Sequence, residues 1–411
     1  MSARICMIAL TDYPGDQRVR REAEALVSRG DEVDVISPLT PSIGQRRSLD
    51  GVDLYPTGRL RRDEKLGFLD YLSRDLAFLV RASVRAVRLH RRRRYDVVHV
   101  HTMPDYLVFA ALGPKLMGAK VVLDLHDLVP ELYASKFGAD DSKWVVRLTK
   151  LVERACVRFA DRALAVHEPH LEALVGHGNP EGKFTIVMNA PDPRLFARRR
   201  EAPLPAGFTV IYHGTISRRH GLDVAVRAVA LARRSYEDIR LEVVGDGDGV
   251  AELRTLVSEL GLGAAVSITE GRFPAEELRP LFDRASAGVV PLSHDIFTRY
   301  MLPVKLLEYV ALGLPVICSR TDTVQAYFDE TMVSFVEPGS DEDLAAKLVE
   351  LRNDEEKRHR LVTRADAFLE EHSWLRERER YYSVIDSLLG PTPAGTARGA
   401  GAGSNPLPVG D

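Results

Sequence analysis

Leu302-Pro-Val-Lys-Leu-Leu-Glu-Tyr-Val-Ala-Leu-Gly-Leu-Pro-Val-Ile317 reads as a short helix that feeds a buried strand. Pro303 suits the first turn of a helix, and Gly313-Leu-Pro315 stops it. The tip of such a helix presents free N–H groups and the positive end of its dipole, a ready place for an anion. Lys305 stands in that first turn, where a cation opposes the dipole unless it serves a bound anion. Glu308 follows on the same face, and a carboxylate holds a sugar diol through paired hydrogen bonds. Phosphate at the tip with ribose at a cleft-facing Glu308 is one coherent reading. An amphipathic helix with Lys305 and Glu308 in solvent is the other.

Outward from this stretch, short apolar runs alternate with longer helical patterns, as in parallel α/β structure. In the first half the expected strands are Ile5–Leu10, Glu32–Ile36, Val97–Val100, Val121–Leu125, Arg162–Val166 and Phe184–Met188. In the second they are Phe208–Tyr212, Arg240–Val244, Ala265–Ile268, Gly288–Pro291, Pro315–Cys318 and Val333–Val336. Runs of this kind belong to strands covered by helices on both faces. The rhythm breaks at Asn189-Ala-Pro-Asp-Pro193 and Arg198-Arg-Arg-Glu201, then restarts at Phe208. That predicts two Rossmann-like units, residues 1–195 and 196–372, then a last helix over 373–389. The tail, 390–411, is mostly Gly, Pro, Ala and Ser and is expected to be disordered.

Composition narrows the classes. With 56 Lys+Arg against 59 Asp+Glu the net charge is −3, which argues against a nucleic-acid partner. An apolar share of 45% in 411 residues supports folded domains with their own cores. Cys6, Cys156 and Cys318 are far apart and form neither a disulfide framework nor a metal pair, which fits a reducing compartment. The run Ile5–Leu10 is too short for a signal-peptide core, and no stretch approaches the ~20 apolar residues of a membrane span. A cytoplasmic protein is expected, with peripheral contact at the inner face of the plasma membrane left open.

Two further loops carry chemistry. His213-Gly-Thr-Ile-Ser-Arg-Arg-His-Gly221 joins a strand to a helix starting near Leu222. Gly214 allows close approach of a ligand, and the guanidiniums of Arg218 and Arg219 suit phosphate oxygens. The plain alternative is a solvated basic loop. Gly245-Asp-Gly-Asp-Gly249 lacks the third glycine of a dinucleotide fingerprint, so a tight turn with Asp248 capping the next helix ranks above an Asp246/Asp248 metal pair. No Walker A loop, G-x-S-x-G or H-E-x-x-H is present.

Over residues 4–372 the chain resembles the family 4 glycosyltransferases, nucleotide-sugar enzymes of the GT-B fold. The likeness rests on Pro303-Val-Lys-Leu-Leu-Glu-Tyr309 with Ala311–Ile317, on Gly288-Val-Val-Pro-Leu292, and on Gly214…Gly221-Leu-Asp223. In the first half it rests on Asp16-Gln-Arg-Val-Arg-Arg-Glu-Ala23, Arg29-Gly-Asp-Glu-Val33, Asp96-Val-Val-His-Val-His101 and Val121-Val-Leu-Asp-Leu-His-Asp127. The resemblance implies two Rossmann-like domains with parallel sheets facing a cleft, and a last helix near Trp374–Leu388 that crosses back. It implies a donor side of Gly214, Arg218, Arg219, Gly245, Lys305, Leu306 and Glu308. Glu308 would hold the ribose, the Lys305–Leu306 backbone the diphosphate, and the loop at Arg272 and Phe273 the base. The acceptor side would be Gly15, Asp16, Arg18, His126 and Asp127. His126, Lys305 and Arg219 would act on the reaction itself. Two positions depart from the family pattern. Tyr300 stands where many members have a glutamate, and Thr215 and His220 stand where the phosphate loop has Arg and Lys. Arg218 or Arg219, with Lys305, is expected to replace that pair.

The implied reaction is transfer of a sugar, with retention, from a nucleotide-diphosphate sugar to an acceptor hydroxyl, without a cofactor or metal. The rivals are a GT-B nucleotide-sugar epimerase and an inactive GT-B partner subunit. The helix around Leu69–Arg92 bears on the acceptor. Arg74, Arg81, Arg85, Arg88 and Arg92 fall on one stripe at 100° per residue, opposite Leu69, Leu72, Leu76, Leu79, Val80 and Val87. Such a stripe suits an anionic membrane and a lipid-linked acceptor in cell-envelope polysaccharide or glycolipid synthesis. The competing acceptor is a soluble small molecule such as a secondary metabolite.

Overall fold

Along the first strand Ile5, Cys6, Met7 and Ile8 are all buried, and their alternation sends Ile5 and Met7 into one core and Cys6 and Ile8 into another. A strand with two apolar faces needs helices on both sides of its sheet. The computed structural model describes residues 2–40, 44, 47–59, 68–137, 143–199 and 207–390. Its first sheet runs, in spatial order, β3 (Ser48–Leu49), β4 (Val52–Arg59), β2 (Glu32–Leu39), β1 (Arg4–Ile8), β5 (Val97–His101), β6 (Lys120–Asp124), β7 (Arg162–Ala165) and β8 (Phe184–Ile186). The second runs β11 (Val266–Glu270), β10 (Ile239–Gly245), β9 (Phe208–His213), β12 (Ala287–Val290), β13 (Val316–Ser319) and β14 (Ser334–Val336). Apart from the β3–β4 hairpin, neighbouring strands are parallel.

All the strands expected from the apolar runs are present, with ends shifted by at most three residues. The β3–β4 hairpin was not among them. Pro56 and Gly58 interrupt its apolar pattern, and a proline speaks against a central strand. The structure accommodates it because β3 pairs only with Val52 and Asp53, so Pro56 sits on an open edge and needs no ladder partner on that side.

The last helix, Trp374–Leu389, packs against the first sheet. Tyr381, Val384 and Ile385 join the core that holds Ile5 and Val97. The Tyr381 hydroxyl pairs with His99 Nδ1 at 2.9 Å, and Glu377 accepts from the Met188 N–H at 2.8 Å. The expected disorder falls on residues 391–411, outside those described, and part of the expected linker, residues 200–206, also lies outside them.

The arginine-striped helix spans Phe68–Arg93, and one expectation about it is corrected. Its buried side is Phe78, Ala82, Ala86 and Leu89, whereas Leu76 and Val80, expected in the core, are exposed together with Val84. The small side chains of Ala82 and Ala86 let the helix settle on that arc. Arg81, Arg85, Arg88 and Arg92 are exposed as expected, while Arg74 is half-buried and pairs with Asp75 at 2.8 Å. The Leu69 side chain lies outside the described residues.

Candidate active site

Parallel sheets put their functional loops beyond the carboxyl ends of the strands, and both sheets do so here. From the first sheet come the β1 loop with Gly15, Asp16 and Arg18 and the β6 loop with His126 and Asp127. Gly15 ends a 3-10 turn, Tyr13–Gly15. Asp16 caps the helix Gln17–Arg29 by accepting from the Val19 N–H at 3.2 Å, which aims Arg18 inward.

Arg18 is buried and grips Asp124 with both prongs, Nε to Oδ2 at 2.7 Å and Nη2 to Oδ1 at 2.9 Å. Asp124 also faces His101 Nδ1 at 3.1 Å and His126 Nδ1 at 3.5 Å. Burial would raise the Asp124 carboxyl, but Arg18 and His126 hold it well below the usual carboxylate range. Burial would likewise depress His126, yet Asp124 lifts it to about 9, so its imidazole is charged at neutral pH. The other His126 nitrogen bonds the Thr102 carbonyl. Buried Glu22 lies 3.3 Å from Arg18. Glu22, His99, His101 and Asp124 hold ligand-type atoms within 4.8 Å of one another. The positive charges of Arg18 and His126 already occupy this knot, so it reads as an ion-pair cluster that sets His126 in place.

In the second sheet the helix Val304–Leu312 follows β12, capped by Pro303 and ended by Gly313 in the left-handed conformation at φ 72°. Leu306 and Leu307 anchor it in the core. The Leu306 N–H bonds the Pro303 carbonyl at 2.9 Å, so the open donors at the tip are those of Val304 and Lys305 rather than Leu306. Lys305 Nζ donates to the Tyr212 hydroxyl at 2.6 Å and lies 4.0 Å from that ring's centre. Gly214, at φ 108°, faces it, and a Cβ there would lie 3.5 Å from Nζ. Burial drives Lys305 down to about 7, with Glu308 opposing the shift. Lys305 has no carboxylate at ion-pair distance among the described residues.

Glu308 corrects another expectation. It is 5% exposed rather than open to the cleft, and its Oε2 meets His213 Nε2 at 2.7 Å. His213 Nδ1 in turn pairs with the Tyr309 hydroxyl at 2.9 Å. Of the two candidate arginines, Arg218 is exposed, while Arg219 is half-buried and sits over the Phe297 ring at 5.4 Å. Burial, Lys305 and Arg219 together push His220 down to about 3, leaving it neutral between two cations. Gly245 serves packing, because a Cβ would lie 1.8 Å from the Gly214 carbonyl oxygen. Arg272 and Phe273 are exposed at the edge strand β11, and Arg272 lies 3.6 Å from Asp246. Asp248 does not cap: the next helix, Val250–Glu259, has Gly249 at that position and no side-chain cap.

A cavity of about 280 Å³ joins the halves. Asp16, Arg18, His126 and Asp127 line one wall, and Tyr300, Pro303 and Val304 line the other. Lys305, Glu308, Arg218 and Arg219 are not among the residues that line the cavity, although Arg219 sits over the lining Phe297. His213, Asp124, His167 and His170 are site residues that reading the sequence missed. Asp124 had a signal: it stands two residues before His126 at the same strand end, hence on the same face. His213 had none, being 95 positions from Glu308.

Comparison with known proteins agrees with this geometry. A family model described as "Glycosyl transferases group 1" matches residues 196–368, and "Glycosyl transferase 4-like domain" matches residues 15–190. D-inositol 3-phosphate glycosyltransferase of Pseudarthrobacter chlorophenolicus is 25% identical over 406 residues, 90% of this chain and 90% of that one. Amylovoran biosynthesis glycosyltransferase AmsK of Erwinia amylovora is 25% identical over 184 residues, 44% of this chain and 45% of that one. Among solved structures, Anabaena Alr3699/HepE in complex with UDP-glucose superposes with a TM-score of 0.71 at 15% identity, covering 93% of this chain and 99% of that one. Two parallel sheets meeting at a cavity, with both family models spanning them, make this chain a glycosyltransferase of family 4 with the GT-B fold.

Proposed function

We propose that the enzyme moves a sugar from a nucleotide-diphosphate sugar to an acceptor hydroxyl with retention of configuration. The observation that carries this reading is the cationic tip of the helix Val304–Leu312, where half-buried Lys305 packs against Tyr212 and faces Gly214 without a carboxylate partner among the described residues. A buried amine without a counter-ion is disfavoured, and a diphosphate is the partner that restores its charge. As the glycosidic bond breaks, negative charge grows on the departing diphosphate. Lys305, Arg219 and the open N–H groups of Val304 and Lys305 are placed to stabilise it. His126, charged and held by Asp124 and the Thr102 carbonyl, sets a positive charge at the cavity wall facing the sugar. The UDP-glucose bound by the Anabaena relative supports the donor class.

The acceptor we favour is lipid-linked, in cell-envelope polysaccharide or glycolipid synthesis on the cytoplasmic face, a reading supported by the amylovoran relative's name. The full-length match to a D-inositol 3-phosphate glycosyltransferase supports a small acceptor as the second reading. A nucleotide-sugar panel screened for protection against thermal unfolding tests the donor. A ligand at 100 times its Kd stabilises by about 2.7 kcal/mol, and the NMR anomeric signal of the product then tests retention. No protection by any nucleotide sugar defeats the proposal.

Two expected results follow from the donor side. His213 takes only Oε2 of Glu308, which leaves Oε1 for the ribose, so Glu308→Ala should weaken donor binding by about 1.5–3 kcal/mol, the scale of a charged hydrogen bond. Because that change also strips His213 of its partner, Glu308→Gln is the cleaner variant. A folded Glu308→Gln protein with wild-type donor affinity by calorimetry removes the ribose role. Turnover should also persist in excess EDTA, since cations of the chain itself match the diphosphate. Activity lost in EDTA and restored by manganese would return the Asp246/Asp248 pair to the site.

A further inference from the structure

We propose that the outer face of the helices Phe68–Arg93 and Lys143–Phe159, with the short helix Leu112–Leu116 beside them, seats the enzyme on an anionic lipid bilayer. This rests on the lipid-linked acceptor reading given above and adds to the arginine stripe of the first helix the exposed apolar residues beside it and the whole second helix. Both long helices cover the same side of the first sheet. Phe78 and Ala82 of one and Cys156 and Val157 of the other share the core that holds Cys6 and Ile8. The 3-10 segment Asp105–Ala111 lies between them and packs on both, its Phe109 ring centre 5.1 Å from that of Phe159, and the short helix abuts the first at Gly113 and Val87. Their outward side chains therefore form one surface.

That surface is apolar at its centre. Val80 is 62% exposed and Leu116 80%. On the second helix Trp144 is 68% exposed and Leu151 55%, with Leu148 between them on the same stripe. Its rim is cationic: Arg81, Arg85 and Arg88 flank Val80 and Val84, and Arg147 and Arg158 flank the leucines. No acidic residue occurs between Asp75 and Asp96. The acid of the second helix, Glu153, is buried against His177 and Asn179. A face with Trp and Leu at its centre and Arg around it matches the interfacial zone of an anionic leaflet. Two copies of the chain would bring like-charged rims together, which disfavours self-association as the occupant.

Both helices lead directly into strands, Arg93 into Val97 and Phe159 into Arg162, so their first turns lie at the carboxyl edge of the sheet. Leu76 and Trp144 are thus at the edge that carries His126 and Asp127. Seating this face presents the cavity mouth to the membrane.

Sedimentation with vesicles of phosphatidylcholine and phosphatidylglycerol tests the proposal, with pure phosphatidylcholine as control. The wild type should sediment with the anionic vesicles at low salt and be released as salt rises. Trp374 is already packed beneath Arg21, so a blue shift of tryptophan emission on adding vesicles reports Trp144. Leu148→Ser with Leu151→Ser should lower partitioning at least about tenfold at every salt concentration. Arg85→Glu with Arg88→Glu should remove the salt-sensitive part. Absence of wild-type sedimentation at low salt, or a leucine pair that sediments like wild type, overturns the proposal. So does a wild-type dimer in analytical ultracentrifugation that the leucine pair converts to monomer without any vesicle binding. Protection by nucleotide sugars, measured without vesicles, is unaffected by these changes. Its loss would speak against the donor reading instead.

Discussion

Lys305→Ala is expected to lower turnover about a hundred- to a thousand-fold, the scale of removing one preorganised donor from a developing anion. The melting temperature should not fall with it. A lysine driven to about 7 by burial binds fewer protons folded than unfolded. Between about pH 7 and the ordinary lysine value it therefore makes the protein more stable as pH rises, and at pH 7 its removal relieves a cost. The same shift gives a second readout. A bound diphosphate raises the Lys305 pKa, so donor binding takes up a proton above pH 7. Donor affinity should then weaken by up to about tenfold per pH unit above 7, and Lys305→Met should flatten that slope. Calorimetry of nucleoside diphosphate binding across pH 6–9 measures it. Lys305→Ala with wild-type turnover, or a slope unchanged in Lys305→Met, removes the lysine from the mechanism.

Arg18→Ala should destabilise the enzyme by about 3–5 kcal/mol, because it leaves the buried carboxylates of Asp124 and Glu22 without their cation. Asp124 titrates well below its ordinary value in the folded protein, so its contribution is present at neutral pH and is lost as pH falls through the acid range. His126 behaves in the opposite sense. Raised to about 9, it adds stability that is complete below about pH 6.5 and disappears as pH passes 9. Arg18→Met combined with Asp124→Asn should recover part of the loss, since the second change removes the orphaned charge. Chemical denaturation at pH 7 decides the matter. A loss below about 1 kcal/mol in Arg18→Ala would mean that the pair is solvated and that His126 is not positioned through it.

The resemblance also implied which residues meet at the helix tip, but the molecule distributes their roles unevenly. Arg219 rather than Arg218 sits over Phe297, and the open N–H groups belong to Val304 and Lys305. Tyr300, in the place of the usual glutamate, lines the cavity opposite His126. Under the proposed donor reading, an aromatic hydroxyl there would give the sugar a neutral hydrogen-bonding neighbour instead of a charged one.

By itself the sequence determined the strands with two apolar faces, the two-sheet α/β architecture and the anion-ready helix between Pro303 and Gly313. These are local properties: side-chain alternation, apolar run length and the backbone limits of Pro and Gly act within a few residues. It did not reveal β4, because Pro56 looks like a break until a sheet edge is there to hold it. It did not tell which side of the helix Phe68–Arg93 is buried. Leu76, Val80 and Val84 form one apolar stripe and Phe78, Ala82 and Ala86 another, and only close approach to the sheet selects the stripe with the alanines. Tertiary structure alone decided that Arg18 meets Asp124 across 106 positions and that His213 meets Glu308 across 95. Charges that find each other through the crossing of distant strand ends leave no periodic trace in the chain, so their pairing is fixed by topology.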